Sequence, residues 1–175
     1  MSHERTVFIA DTTINERPTG SQLARIARQC SVKAQSMGHD PRVAFLSYAN
    51  FGNPPGALAT QVREAVAILD QEKIDFEYDG EMSPDAALDP DYRNIYPFCR
   101  LSAPANILIM PGLHAAAISS QMLQKLGGGT VIGPLLTGLN RAVQIVPMNA
   151  TDAEMVNFAT IAAHDSLTFS KMNKA

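Results

Sequence analysis

The chain has 175 residues, 46% of them hydrophobic, and a formal net charge of -3 at pH 7. That length and apolar content suit one domain, residues 1–175, whose core closes without disulfides or metal. A pI near 5.7 with dispersed Lys and Arg argues against a nucleic-acid partner.

Thr6 to Ala10 is a short β-leaning stretch that runs into Asp11-Thr12-Thr13, a strand end opening to a loop. A helix follows. Thr19 and Gln22 stand three residues apart as a capping box, and Leu23, Ile26, Ala27, Cys30, Ala34 and Met37 recur at helical spacing. Arg25, Arg28 and Lys33 are left for water, and Gly38 ends the helix. Arg42 to Ala49 predicts a buried strand, followed by a turn-rich loop through Gly56. A second helix from Ala57 to Gln71 is expected to bury Leu58, Val62, Ala65, Val66 and Leu69. Asp75 to Gly80 predicts a short strand and Ser83 to Asp91 a brief helical segment. Asn106 to Met110 is a continuous apolar run of the kind found in the centre of a parallel sheet.

Pro111-Gly112 then turns the chain into a helix from His114 to Leu126, which Gly127-Gly128-Gly129 stops. Thr130 to Leu136 and Ala142 to Val146 predict two further strands, the first bent by Gly133-Pro134. Thr151 and Glu154 form a second capping box, opening a last helix to about Asp165. Strand and helix alternate, so the fold class is α/β, a doubly wound sheet with helices on both faces. No apolar run approaches the roughly 20 residues that cross a bilayer. The N-terminus lacks the apolar segment of a signal peptide, and the two cysteines have no ligand-like spacing. A reduced, cytoplasmic setting without a membrane partner fits.

In open α/β sheets ligands gather at the carboxyl ends of the strands. Four segments fall there: Asp11-Thr12-Thr13, Ser47 to Gly56, Asp79-Gly80-Glu81, and Pro111 to His114. The Ser47 to Gly56 loop either offers backbone N–H groups to an anionic ligand or is an ordinary strand-to-helix turn. Asp79 and Glu81 either hold a metal or do acid-base work, or they orient a loop through backbone hydrogen bonds. Gly127-Gly128-Gly129-Thr130 follows a helix and lacks Gly-Lys-Ser/Thr, so a helix stop explains it better than a phosphate loop. His114 reads as a helix-start residue, Cys30 as core, and Cys99 beside Arg100 as a thiol without a placed histidine.

Four strings, GHDPRVAFLSYANFG (38–52), YDGEMSPDAAL (78–88), PANILIMPGL (104–113) and TVIGPLLTGLNRAVQIV (130–146), resemble the second lobe of a phosphate acetyl/butyryl transferase domain. The resemblance implies a three-layer lobe similar to the isocitrate and isopropylmalate dehydrogenases. It also implies a first lobe before Arg5, with coenzyme A and acyl phosphate meeting in a cleft. The chain would then be a fragment of a longer protein.

Departures from the family pattern carry information. Where active transferases resemble Leu-Ser-Arg-Gly with a following Asp, this chain has Pro147, Met148 and Glu154. Proline has no donor or nucleophile and methionine cannot neutralise a phosphate. Ala117 replaces a usual asparagine and His114 an acidic residue.

The pattern is similar to the C-terminal domain of bacterial hybrid NADP-dependent malic enzymes. That resemblance implies a catalytically inactive domain that binds acetyl-CoA as an allosteric ligand and assembles with itself into a homodimer or larger homo-oligomer. The resemblance further implies that the domain has no cofactor of its own, and that NADP and a divalent metal belong to a parent enzyme that decarboxylates malate oxidatively. The residues expected to bind acyl-CoA are Ser47, Asn50, Phe51 and Gly52 of the loop after the second strand, with Pro147, Met148 and Glu154 at the positions matched to the family pattern. The alternative is an active phosphate acetyltransferase with a different anion clamp, Arg141 or Arg100.

Overall fold

The computed structural model of the chain describes residues 5–91, 95–127 and 129–172, with side chains described through residue 167. Gly128 of the predicted helix stop and the first four residues lie outside the described residues. The chain divides into two compact units, Met1–Met122 and Leu123–Ala175.

The first unit holds a four-stranded sheet. Its elements are β1 (Phe8–Ala10), α1 (Gly20–Ser36), β2 (Arg42–Leu46), α2 (Ala57–Asp70), β3 (Glu77–Met82), α3 (Pro84–Leu88), β4 (Ile107–Ile109) and the start of α4 (Leu113–Leu126). Strand order is β1-β4-β2-β3 with every pairing parallel. The chain moves outward from β1 to β2 to β3, then returns to place β4 between β1 and β2.

Side chains alternate between two cores. Val43, Phe45, Ile107 and Ile109 pack with Leu23, Ala27, Val62 and Leu69 of α1 and α2. Ala44, Leu46, Leu108 and Met110 pack on the other face with Met82, Ala87, Leu101, Ala105 and Ala116. Both faces are covered, which is why these strands are apolar without interruption. Each large side chain buried here stabilises the fold by about 1.5–3 kcal/mol relative to exposure.

Helix α1 starts as its sequence requires: the Thr19 hydroxyl accepts from the Gln22 N–H while the Gln22 amide oxygen accepts from the Thr19 N–H at 2.8 Å. Two expectations on the helices are corrected. Leu58 is 68% exposed, because the buried stripe of α2 runs Ala59, Val62, Val66 and Leu69, one residue out of phase with it. Lys33 is buried and Met37 exposed at the end of α1, so burial there does not follow residue polarity. Strand β3 runs two residues beyond the predicted end, to Met82. Gly80 is needed inside it, since a Cβ there would lie 2.8 Å from the Phe45 Cβ.

In the second unit α5 spans Asp152–Met172, longer than the predicted helix. The two strands expected over Thr130 to Leu136 and Ala142 to Val146 do not form; no residue described between them belongs to a strand. A strand needs a neighbour to ladder with. Here Gln144 occupies the backbone of Leu136 instead, accepting its N–H at 2.9 Å and donating to its carbonyl at 3.2 Å. Gly133 at φ +142 and Pro134, which lacks an N–H, interrupt the first stretch.

Candidate ligand site at the carboxyl edge of the sheet

All four strands are parallel, so the loops after β1, β2, β3 and β4 leave from one edge. The loop after β1 is organised by Asp11. Its carboxylate accepts from the N–H groups of Thr13 at 2.8 Å, Ile14 at 3.0 Å and Asn15 at 2.8 Å, and from the Asn15 side chain at 2.6 Å. Burial pushes this carboxyl up, but the four donors outweigh burial and hold it below the ordinary range.

The loop after β2 is fastened to the end of β3. Ser47 N–H donates to the Met82 carbonyl and Phe51 N–H to the Glu81 carbonyl, both at 2.9 Å. Gly52 N–H donates to Glu81 Oε1 at 2.8 Å, and Asn50 Oδ1 accepts from the Ser83 N–H at 2.8 Å and hydroxyl at 3.0 Å. Asn50 and Asn53 exchange backbone hydrogen bonds at 2.9 and 3.1 Å, while Ala49 N–H donates to Ser47 Oγ at 3.3 Å. Phe51 at φ 50 and Gly52 at φ +94 make the sharp left-handed corner this fastening requires.

The N–H groups of Ser47, Ala49, Asn50, Phe51, Gly52 and Asn53 are therefore all engaged inside the chain. The loop's Phe51 side chain is half-buried against the second core and gathers two further rings from the segment before Cys99. The Phe51 ring lies 5.1 Å from Tyr96 and 4.9 Å from Phe98, Tyr96 and Phe98 are 5.9 Å apart, and Phe98 is 63% exposed. Phe98 meets both other rings edge to face, while Phe51 and Tyr96 are tilted at 51°.

Asp79 and Glu81 turn to different partners. Asp79 accepts from the N–H groups of Gly80 at 2.8 Å and Arg100 at 2.7 Å, so it fixes the segment around Cys99. Glu81 is fully buried and turns to the β2 loop and to Arg63 Nη1 at 2.7 Å. The loop-orienting reading of both residues holds. Among the described residues no cluster of three or more His, Cys, Asp or Glu could hold a metal ion.

Arg100 is engaged with Asp70 at 2.5 Å, with Asp79 at 3.5 Å, and over the Tyr78 ring at 5.1 Å. Its bond to Asp70 holds that carboxyl below the ordinary range. Cys99 packs against the second core. Burial pushes the Cys30 thiol up to about 12, which fits an inert core residue. His114 is exposed in the first turn of α4, where the Gly112 carbonyl accepts from Ala116 N–H at 3.1 Å. Gly127 N–H closes the end of α4 on the Leu123 carbonyl at 2.8 Å, as a helix stop does.

Of the seven ligand residues read from sequence, Ser47, Asn50, Phe51 and Gly52 share one loop of the first unit. Pro147, Met148 and Glu154 lie in the second unit, with Met148 fully exposed. Glu154 completes the second capping box: its Oε2 accepts from Thr151 N–H at 2.7 Å and hydroxyl at 2.8 Å, which hold its carboxyl below the ordinary range. Arg63, Tyr96 and Phe98 had no signal in the sequence, since nothing in their spacing ties them to Phe51.

A parallel sheet with helices on both faces and its loops leaving from one edge places the chain among the α/β proteins, in which that edge is where ligands bind. The phosphate acetyl/butaryl transferase family model matches residues 1–163, and the chain belongs to that family. It is 53% identical over 164 residues to the NADP-dependent malic enzyme of Rhizobium meliloti, covering 94% of this chain and 22% of that protein. It is 34% identical over 169 residues to a phosphate acetyltransferase of Staphylococcus aureus, covering 94% of this chain and 51% of that protein. A phosphotransacetylase structure from Streptococcus pyogenes superimposes with a TM-score of 0.87 at 32% identity, over 91% of this chain and 49% of that one. The chain thus spans about a fifth of the malic enzyme and half of the transferases. Among the described residues, no helix is long and apolar enough to cross a membrane.

Proposed function

We propose that this chain is a regulatory domain of an NADP-dependent malic enzyme, one that senses acetyl-CoA, helps assemble the oligomer and does not itself transfer acetyl groups. The observation that carries the reading is Pro147-Met148, an exposed pair without donor or charge where the family pattern has a hydroxyl and a guanidinium. An anion clamp contributes most where charge develops in the transition state, so losing it disables transfer far more than recognition. The higher identity to a malic enzyme than to a phosphate acetyltransferase agrees.

Recognition of acetyl-CoA falls to the carboxyl edge of the sheet. With the N–H groups of Ser47, Ala49, Asn50, Phe51, Gly52 and Asn53 engaged internally, the exposed ring of Phe98, packed with Tyr96 on the half-buried Phe51, is what this edge offers to a planar ring. A coupling of about 1–3 kcal/mol between this site and the malate site is enough for control. NADP and a divalent metal act in the remainder of the enzyme. Exposed apolar side chains in the second unit, Ile145, Val156 and Leu167 among them, favour self-association. Calorimetry on the full-length protein tests the reading: acetyl-CoA should bind and inhibit malate oxidation. Absence of binding together with unchanged malate kinetics would sink it.

The second reading is an active phosphate acetyltransferase, favoured by membership of the family itself. It needs another cation: Arg100 is engaged by Asp70 and Asp79, and Arg141 is exposed. Turnover of acetyl phosphate and coenzyme A at an ordinary enzymatic rate would establish it.

A further inference from the structure

Glu81 stands where the β2–β3 ladder breaks step. Phe45 pairs with Gly80 and Leu46 with Met82, so Glu81 is the extra residue of a bulge with no partner across the ladder. A bulge re-aims the side chain it carries. In regular register Glu81 would follow Asp79 toward the second core; instead its carboxylate reaches the β2 loop and α2. It is fully buried, and it controls both residues of the left-handed corner. Its carbonyl accepts from Phe51 N–H at 2.9 Å and its Oε1 from Gly52 N–H at 2.8 Å. Arg63 holds the same Oε1 at 2.7 Å and is itself braced on Thr60 Oγ1 at 2.9 Å. The other oxygen, Oε2, is buried and has no hydrogen-bond partner among the described residues.

A carboxylate withdrawn from water with one oxygen unsatisfied is a poor way to stabilise a fold. A group of this kind calls for an explanation, and holding a loop in a set geometry is one. The position of Phe51 supplies that geometry, because its ring is the member of the aromatic cluster that the loop itself carries. Rotating the corner would pull that ring away from Tyr96 and Phe98.

We infer that Glu81 is the positioning residue of the ligand loop, setting the Phe51–Gly52 corner through its bulge and its ion pair with Arg63, so that acyl-CoA affinity depends on a residue that never touches the ligand. The inference rests on the acyl-CoA reading above. Glu81→Gln keeps an oxygen for Gly52 but loses the charge that pairs with Arg63; Glu81→Ala loses both; Arg63→Gln, at a half-exposed site, leaves the carboxylate without its cation.

Acetyl-CoA affinity, measured by calorimetry on fully folded full-length protein, should weaken at least about 5-fold in Glu81→Gln and further in Glu81→Ala, with Arg63→Gln tracking Glu81→Gln. Amide exchange at Phe51 and Gly52 should speed up by about tenfold or more, while the β2–β4 pairing stays protected. Val66→Ala, a core change away from the loop, serves as the control: it should lower Tm without moving either readout. If wild type binds acetyl-CoA and the Glu81 and Arg63 variants bind as tightly, the positioning role is overturned and the acyl-CoA reading survives. If affinity falls equally in Val66→Ala, Glu81 is merely structural and the inference again fails. Absence of acetyl-CoA binding by wild type overturns both.

Discussion

Phe45 on β2 and Val143 in the second unit are both strand-forming apolar residues, yet Phe45 lies wholly inside the fold and Val143 is 47% exposed. Phe45 has β4 on one side, β3 on the other and helices α1 and α2 across its face. Val143 stands next to Gln144, whose side chain takes the Leu136 backbone, and no described residue of its segment belongs to a strand. Apolar, β-branched sequence supplies the material of a strand, and neighbouring strands supply its hydrogen bonds. The largest expected effect follows. Phe45→Ala should cost about 3–5 kcal/mol of stability, and Val143→Ala should stay within about 0.5 kcal/mol. Denaturant unfolding of the two variants checks this; comparable losses would mean that Val143 is packed as a core residue in solution.

The two capping boxes sharpen the contrast at lower energy. Thr19 and Thr151 make the same reciprocal bonds, with Gln22 and Glu154 respectively. Helix α1 buries a long stripe in the first core, so fraying its start disturbs the whole unit. The first turn of α5 is exposed, and Phe158 is the apolar residue of that helix buried among the described ones. Thr19→Ala should therefore cost about 1 kcal/mol, within the usual range for a lost cap, and Thr151→Ala clearly less. Equal losses in thermal unfolding would show that both helices are coupled to global stability alike.

These contrasts explain what could be read in advance. Runs such as Asn106 to Met110 are apolar because both sheet faces are covered, and Thr19 with Gln22 marks a helix start by chemistry local to four residues. Leu58 misled because a small residue, Ala59, begins the buried stripe, and periodicity cannot distinguish adjacent phases when alanines abound. The strands over Thr130 to Val146 misled because pairing is not local. At the site, the β2 loop was legible from its glycines and small polar residues. The fastening of its Phe51–Gly52 corner was not, since it depends on Glu81, about thirty residues away in sequence, and on a bulge that no motif encodes. Phe51, Tyr96 and Phe98 likewise meet only through the fold.

Asp11 gives the smallest expected effect and extends the comparison to pH. Its carboxylate gathers three backbone N–H groups and the Asn15 amide in the loop after β1, and its folded-state pKa lies below the unfolded value. A group shifted this way binds fewer protons folded than unfolded. Its contribution is therefore fully present above the unfolded pKa, near 3.9, and is lost as pH falls through the lower folded value. Asp70, held down by Arg100, titrates in the same direction and remains in both proteins compared. Asp11→Asn should lower Tm by at most about 2 °C at pH 7, because much of the side chain is open to solvent and its bonds are screened. The gap between wild type and variant should then narrow as pH falls below about 4, since protonation removes from wild type what the substitution has already removed. A Tm gap that stays constant from pH 7 to 3 would place the role of Asp11 in its shape and leave its charge without effect on the loop.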